Sequence, residues 1–225
     1  QPTKFAHLPL ILNPDKSKLS KRQGDVAVED FLAKGYLKDA LINFVAFLGW
    51  NPKTEQEIFS INDLIKGFDL EKINRSGAIF DINKLDWMNS SYIRNKPIDD
   101  LINLLIPYWQ EEGIEVEKLA RDYLKAIANL EKDRLKNLSE IGERTKYFFA
   151  QPDYGENLLV WKKADAADAK AKLEALYNLF GKFGENDYTK ELLEEKLKTF
   201  IAQNNFDTGS VLWPLRVALT GLDKS

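Results

Sequence analysis

The sequence predicts a mainly α-helical protein that begins with a short strand and a basic loop. Apolar residues recur three to four positions apart through most of the chain, whereas a strand-like apolar run occurs near the start, over residues 5–12. Glycine and proline separate the helical segments at short intervals. With 225 residues, of which 44% are hydrophobic, the chain is long enough to form one or two domains with buried cores.

The N-terminal segment combines a strand, a basic loop and a helix start. Pro9 within the apolar run favours an edge strand or a broken one. The loop that follows reads KLSKR and consists of Lys18, Leu19, Ser20, Lys21 and Arg22. Asp25 is a candidate N-cap for a helix that extends to about Lys34. Basic side chains beside a helix N-terminus are a typical setting for phosphate binding, although three basic residues in a short loop are more often a solvated surface.

The remaining chain predicts helices with short connections. Helices are expected over residues 37–48 and 84–95, and Ser60 is a candidate N-cap for one between them. Residues 95–97, Asn-Lys-Pro, are the strongest candidate for a domain boundary. Beyond it the pattern predicts a helix ended by Pro107. The helices expected there cover residues 99–106, 116–130, 130–138, 139–150, 164–180, a segment capped by Asp187 or Thr189, and 211–219.

Composition limits the classes of function. Cysteine is absent and His7 is the single histidine, which excludes disulfides and disfavours a histidine-based metal site or triad within this chain. No apolar run approaches the length of a membrane span, so no membrane partner is expected, and a cysteine-free chain fits a reducing, cytoplasmic location. The net charge of −3 is unusual for a general nucleic-acid binder, but residues 1–22 carry five basic residues and one acidic residue. This predicts a locally basic surface that contacts polyanions.

Three stretches around the loop are similar to class I glutamyl-tRNA synthetases. They read PLILNPDKSKLSKRQGD, VAVEDFLAKGYLKDALINFVAFLGWNP and RSGAIFDINKLDWMN, and KLSKR resembles that family's form of the KMSKS signature. Residues 213–221, WPLRVALTG, resemble the family's terminal helix motif. The resemblance is specific up to residue 89 and after residue 210, and from about residue 97 to 205 it rests mainly on a helical pattern.

The resemblance implies three regions with different roles. Residues 1–14 are expected to end a Rossmann-like catalytic domain, residues 15–96 to contact the tRNA stem, and residues 97–225 to form a helical anticodon-binding region, subdivided near residues 152–162. The family's other signature, HIGH, is absent, so we expect a fragment, truncated at its C-terminal end, that forms no adenylate and charges no tRNA alone.

The family also implies the substrates and partners. In the whole enzyme, glutamate and ATP with Mg²⁺ are the expected substrates and tRNA(Glu) is the expected partner. For this chain we expect a monomer with no metal site and no bound cofactor.

The resemblance further implies roles for single residues. The KLSKR loop would bind ATP, with Lys21 as the catalytic candidate. Trp87 is a candidate contact to the tRNA stem, and a core position is an equally good interpretation. Arg134 and Arg216 are candidates for anticodon recognition, because guanidinium groups stack on unpaired bases and bond to their edges. Arg134 matches the arginine of a family segment, roughly ERxKTL, that senses the third anticodon base and favours rejection of glutamine tRNA. Without the resemblance, a surface ion pair is the better interpretation of either arginine.

Other classes of protein were weighed against this one. A helical protein-interaction scaffold derived from a synthetase is the alternative function, although such a scaffold has no use for an ATP-facing loop. A glutaminyl enzyme would need barrel-type anticodon domains, whose alternating strand pattern is missing from the sequence. The short paralogue that modifies a tRNA wobble base lacks the helical tail.

Overall fold

The computed structural model describes residues 10–20, 27–74 and 76–223. The chain divides into two compact units, Gln1–Glu143 and Arg144–Ser225. The described residues are mainly helical, which confirms the predicted fold class. The helices in this part of the chain are α1 (Val28–Ala33), α2 (Lys38–Phe47), α3 (Ile61–Gly67), α4 (Ile82–Asn95), α5 (Ile98–Glu111), α6 (Arg121–Glu131), α7 (Glu140–Thr145), α8 (Ala166–Phe180), α9 (Lys190–Gln203) and α10 (Thr208–Thr220).

Two short strands bring residues 11–12 close to the start of α4. β1 (Ile11–Leu12) pairs in parallel with β2 (Ala78–Ile79), and Ile11 lies opposite Ala78. The carboxylate of Asp81 then caps α4 by accepting a hydrogen bond from the Asn83 backbone N–H at 2.9 Å. The pairing therefore places the segment that follows β1 near a helix with a defined beginning.

The core of the first unit joins helices that are distant in the sequence. Side chains of α2 and α4 pack together with those around α1, because the apolar stripes predicted from the sequence face one another. The buried members of this cluster are Phe31, Tyr36, Leu41, Phe44, Leu85 and Met88. α5 packs against α6 through a second apolar surface to which Leu105, Trp109 and Ile127 contribute buried side chains.

The second unit is built around α8 and α10. Leu176 on α8, Ile201 on α9 and Val211 on α10 form its buried cluster. Thr189 caps α9 with its hydroxyl oxygen, which accepts a hydrogen bond from the Leu192 N–H at 3.4 Å. The sequence offered Asp187 or Thr189 for this position, and the structure selects Thr189. The sequence predicts this helix over residues 211–219, with residues 208–210 as its start. α10 begins at Thr208, because the Asp207 carboxylate caps it through the Ser210 N–H at 2.9 Å.

Several predicted helix limits are wrong; two have a clear physical reason, and packing explains the first. α5 continues past Pro107 to Glu111. Proline removes one backbone donor, but Trp109 lies on the same buried face as Leu101 and Leu105 and is fully buried. Burial of an indole of this size outweighs the loss of one hydrogen bond.

The second wrong prediction concerns residues 130–138. α6 ends at Glu131, and residues 132–139 form turns and bends instead of a helix. Their backbone groups bond to other parts of the first unit: the Leu138 N–H donates to the Gly35 carbonyl at 3.0 Å, and the Lys136 carbonyl accepts from the Asn89 side chain at 2.6 Å. The local sequence preference for helix is therefore overridden by long-range bonds.

Candidate nucleic-acid interface

The segment after β1 is a tight turn that returns towards the strand. The Lys16 N–H donates to the Asn13 carbonyl at 2.9 Å and the Asn13 N–H donates to the Ser17 carbonyl at 2.8 Å. Lys16 has a φ of 66°, in the left-handed region that turns use. Hydrogen bonds from the Ser17 hydroxyl and the Ser17 N–H lower the pKa of Asp15, so its carboxylate stays charged and holds the turn.

This turn presents the first residues of the predicted phosphate-binding loop. Lys18 forms an isolated antiparallel bridge with Leu12, and its side chain is exposed. The next residue is anchored, since the Leu19 N–H donates to the Ile11 carbonyl at 3.1 Å, and Ser20 is half-buried. Lys21 and Arg22, like His7, lie outside the described residues.

Trp87 lies on the outward face of α4. Its neighbours Leu85 and Met88 are fully buried, whereas Trp87 is 44% exposed. The Lys84 ammonium lies 4.3 Å from the centre of the Trp87 ring, within the range of a cation–π contact, and also forms an ion pair with Glu57. The indole therefore has one face against a cation and a large surface open to solvent.

Arg134 lies in the turn that follows α6. Its side chain is 52% exposed, and its Nη1 lies 3.3 Å from Oε1 of Glu131, a carboxylate that is almost completely buried. The Arg134 N–H also donates to the Glu131 carbonyl at 2.9 Å. The buried acid orients one edge of the guanidinium group, while part of the group remains accessible to a ligand.

The turn that carries Arg134 is held by residues that were not predicted from the sequence. Asn89 is fully buried on α4; its Oδ1 accepts the Leu37 N–H at 2.9 Å, and its Nδ2 donates to the Lys136 carbonyl at 2.6 Å. One turn earlier on α4, Asp86 accepts a hydrogen bond from the Tyr36 hydroxyl at 2.5 Å. The available signal was an amide side chain at a position next to Met88 on an otherwise apolar stripe.

Tyr36 keeps its hydroxyl proton in its hydrogen bond to Asp86. Burial, followed by the hydrogen bond and the charge of Asp86, raises the pKa of Tyr36 above its ordinary value. The phenol therefore remains a hydrogen-bond donor throughout the neutral range. The Lys136 ammonium lies 3.7 Å from the other oxygen of Asp86, which adds an ion pair to the same region.

Arg216 lies on α10 in the second unit. Its side chain is exposed, and its Nη1 donates to the Asp223 carbonyl at 3.3 Å. On the same helix Trp213 donates from its indole N–H to the Leu158 carbonyl at 2.7 Å and packs at 5.0 Å from the Trp161 ring. Trp213 is therefore a packing residue of the terminal motif, whereas Arg216 is accessible.

The described residues lack two further features, a metal-binding cluster and a membrane-spanning helix. They contain no group of three or more acidic, histidine or cysteine side chains that could hold a metal ion. None of the helices in residues 10–20, 27–74 and 76–223 is long and apolar enough to cross a membrane.

Comparison with known proteins gives two family matches along the chain. Residues 1–87 match the catalytic domain of class I tRNA synthetases for E and Q, and residues 100–225 match an anticodon binding domain. Among curated proteins, a glutamate–tRNA ligase from Chlorobaculum parvum is 39% identical over 99% of this chain and 45% of its own length. One from Alkaliphilus metalliredigens is 38% identical over 98% of this chain and 45% of its own length.

Solved structures agree with the sequence matches. A glutamate tRNA ligase from Elizabethkingia meningosepticum, crystallised with its amino acid, has a TM-score of 0.79 at 28% identity and covers 97% of this chain and 46% of its own. The glutamate-tRNA synthetase of Elizabethkingia anophelis has a TM-score of 0.76 at 28% identity, with coverage of 98% and 46%.

The helical fold, the loop after β1 and the matched domains define a class I aminoacyl-tRNA synthetase segment that contains an anticodon-binding domain. The chain spans about 45% of the length of the curated relatives it matches. It belongs to the glutamyl-tRNA synthetase family.

Proposed function

We propose that this chain is the tRNA-binding and anticodon-reading part of a glutamyl-tRNA synthetase. The whole enzyme attaches glutamate to tRNA(Glu) with ATP as the energy source, in the cytoplasm. The observation that carries the proposal is the succession of a catalytic-domain match over residues 1–87 and an anticodon-domain match over residues 100–225. Within this proposal, residues 1–14 are the end of the catalytic Rossmann-like fold, residues 15–96 contact the tRNA stem, and residues 97–225 bind the anticodon.

In this proposal the loop after β1 acts on the phosphates of ATP. The exposed Lys18 ammonium and the Ser20 hydroxyl bind phosphate oxygens, and Leu19 anchors the loop to β1 through its backbone bond. Lys21 is the catalytic residue, because its ammonium neutralises the charge that develops on the leaving pyrophosphate. The residues of this chain supply cations and donors here, and Mg²⁺ reaches the site with ATP.

The RNA contacts divide between position and sequence. The exposed indole of Trp87 meets the sugar-phosphate surface of the stem, which fixes position and carries no sequence information. The half-exposed guanidinium of Arg134 reads the third anticodon base, and Arg216 contacts another part of the anticodon loop. Because Glu131 holds Arg134 at one edge, the other edge is directed before RNA arrives, which lowers the entropy cost of recognition.

A titration of the 225-residue chain with labelled tRNA tests this function. The ligands are tRNA(Glu), tRNA(Gln) and a tRNA(Glu) in which the third anticodon base is changed from C to G. We expect tRNA(Glu) to bind most tightly and its affinity to fall steeply with salt, as counterion release requires. Equal, salt-independent affinity for all three RNAs, or no binding, would favour the protein-interaction scaffold instead.

Arg134→Gln is the variant that tests base reading. A lost base contact costs about 1–3 kcal/mol, so the preference for C over G at the third anticodon base should fall about 5- to 150-fold. Arg121→Gln is a control for the loss of an exposed, ion-paired arginine, because Arg121 bonds to Asp99 and Asn103 on α5. The carboxylate of Asp99 is exposed, whereas that of Glu131 is buried, so the stability of both variants is measured alongside. Unchanged discrimination in Arg134→Gln, or an equal loss in Arg121→Gln, would contradict the assignment.

A further inference from the structure

The segment that carries Arg134 is irregular, yet its backbone is fixed. Residues 132–139 have no helical hydrogen-bond ladder of their own. Instead, the Lys136 carbonyl accepts from Asn89 at 2.6 Å and the Leu138 N–H donates to the Gly35 carbonyl at 3.0 Å. The conformation of this segment therefore depends on groups that are about fifty to one hundred positions away in the chain.

Asn89 is the residue that joins the three elements involved. Its side chain has no solvent exposure and uses both ends of the amide, accepting from the Leu37 N–H at the start of α2 and donating to the Lys136 carbonyl. An amide can do this because it carries an acceptor and a donor on one planar group. Neither an apolar residue nor a carboxylate of the same size satisfies both partners.

Asn89 also has a particular position relative to the proposed RNA contacts. It follows Trp87 by two residues on α4, and the carbonyl that it holds follows Arg134 by two residues. The Asn89 side chain is buried and inaccessible to a ligand, whereas Trp87 and Arg134 are both half-exposed. The hydrogen bond from Asn89 to the Lys136 carbonyl thus links the helix of the stem-facing tryptophan to the turn of the base-reading arginine.

We propose that Asn89 is a positioning residue that holds the 132–139 segment in register with α4, so that Arg134 meets the anticodon while Trp87 meets the stem. The proposal rests on the proposed function of Arg134. Asp86, one turn earlier on α4, also helps to hold the segment, because it accepts a hydrogen bond from the Tyr36 hydroxyl and lies 3.7 Å from the Lys136 ammonium. Removal of Asn89 leaves the Lys136 carbonyl and the Leu37 N–H without their partner, and the segment then loses its register.

Asn43 supplies a matched control for Asn89. It is also fully buried in the first unit, and its Oδ1 accepts from the Phe59 N–H at 2.8 Å and from the Tyr92 hydroxyl at 2.7 Å, with no bond to residues 132–139. Asn89→Ala and Asn43→Ala therefore each remove the acceptor of one backbone N–H, that of Leu37 in the first variant and that of Phe59 in the second. If Asn89 acts only through overall stability, the two variants will behave alike.

The test is a titration with tRNA(Glu) and its third-base C-to-G variant. We expect Asn89→Ala to lower the ratio of the two affinities about tenfold, the size of effect that loss of one buried hydrogen bond produces, and Asn43→Ala to leave the ratio unchanged. In the Arg134→Gln background, Asn89→Ala should lower the ratio no further, because the residue it positions is gone. An equal effect of the two alanine variants, no effect of either, or a full additional loss in the double variant overturns the proposal.

A second measurement separates this inference from the function on which it rests. Hydrogen exchange of the Leu138 amide should accelerate at least about tenfold in Asn89→Ala and not in Asn43→Ala. In the wild-type protein, local opening of the segment must break the Asn89 bond, whereas in Asn89→Ala that bond is absent and opening costs less free energy. If Arg134→Gln leaves discrimination unchanged but the Leu138 amide still responds, the anticodon assignment is wrong and the positioning of the segment stands. An unchanged exchange rate shows that Asn89 does not hold the segment.

Asn89→Asp keeps the experiment decisive if the alanine variant fails to fold. Aspartate has the same shape and can still accept the Leu37 N–H, but its carboxylate cannot donate to the Lys136 carbonyl. The same fall in discrimination and the same rise in exchange are expected. Wild-type values for both measurements in a folded Asn89→Asp variant would overturn the proposal.

Discussion

Gly35 offers the sharpest test of how the 132–139 segment is held. It ends α1 with a φ of +84°, and a Cβ placed there would lie 2.7 Å from the backbone nitrogens of Leu138 and Ser139. Alanine at this position incurs about 1–2 kcal/mol for the left-handed conformation. The contact with two backbone atoms adds about 1–3 kcal/mol, since backbone cannot swing away as a flexible side chain does. We therefore expect Gly35→Ala to lower the free energy of unfolding by about 2–5 kcal/mol.

Gly113 is the matched control for this prediction. Its φ is +77°, and a Cβ there would have no atom within 4 Å. Gly113→Ala therefore isolates the conformational cost of about 1–2 kcal/mol, and the stabilising effect of alanine on the unfolded chain cancels between the two variants. Urea unfolding followed by circular dichroism measures both. Equal losses would refute the reasoning, because they would show that the 132–139 segment moves away from Gly35 without cost.

Two further predictions concern the first unit. Burial raises the pKa of Tyr92 to about 12. Its contribution to stability is therefore complete below the unfolded pKa of about 10 and is lost as the pH rises through about 12. The unfolding free energy of Tyr92→Phe should fall less steeply over that interval, and an unchanged slope in urea titrations at alkaline pH would contradict this. Trp87→Ala should weaken the binding of tRNA(Glu) and of its anticodon variant equally, by about two- to tenfold, because a stem contact of about 0.5–1.5 kcal/mol reads no base. Weaker binding of only one of the two RNAs in the same titration would contradict a stem contact.

Local patterns predict the elements of this fold better than their limits. The apolar stripe of α2 and the caps of α3 and α9 follow from spacing and side-chain chemistry, and the structure has all three. The continuation of α5 past Pro107 does not follow from them, because it depends on the burial of Trp109 against other parts of the protein. A proline within a helix has a local free-energy cost that can be estimated from the sequence. The tertiary packing that offsets this cost cannot be estimated from the neighbouring residues.

The candidate site shows the same division more clearly. Arg134 and Trp87 are named through the resemblance to a known family; the residues alone favour a surface ion pair for the arginine and leave a core position equally open for the tryptophan. Their exposure depends on what the intervening residues bury: Leu85 and Met88 turn inward and leave Trp87 outside, and the ion pair with Glu131 leaves part of Arg134 accessible. These outcomes require the packed helices, so the site residues remain predictions until RNA binding is measured.

The residues that hold a recognition surface differ in kind from those that touch the ligand. A residue that contacts RNA must be exposed, and its side chain must complement the groups of the RNA. A positioning residue such as Asn89 is buried, and its side chain must complement the donors and acceptors of the backbone. Because unpaired buried polar groups are costly, an asparagine on an apolar helix face indicates a specific backbone partner. Its partner cannot be read from neighbouring positions, because Lys136 lies forty-seven residues away. The irregular turn at residues 132–139 and the buried asparagine on α4 thus depend on each other. The hydrogen bond between them explains why the turn is not helical and why a polar residue lies on an apolar helix face.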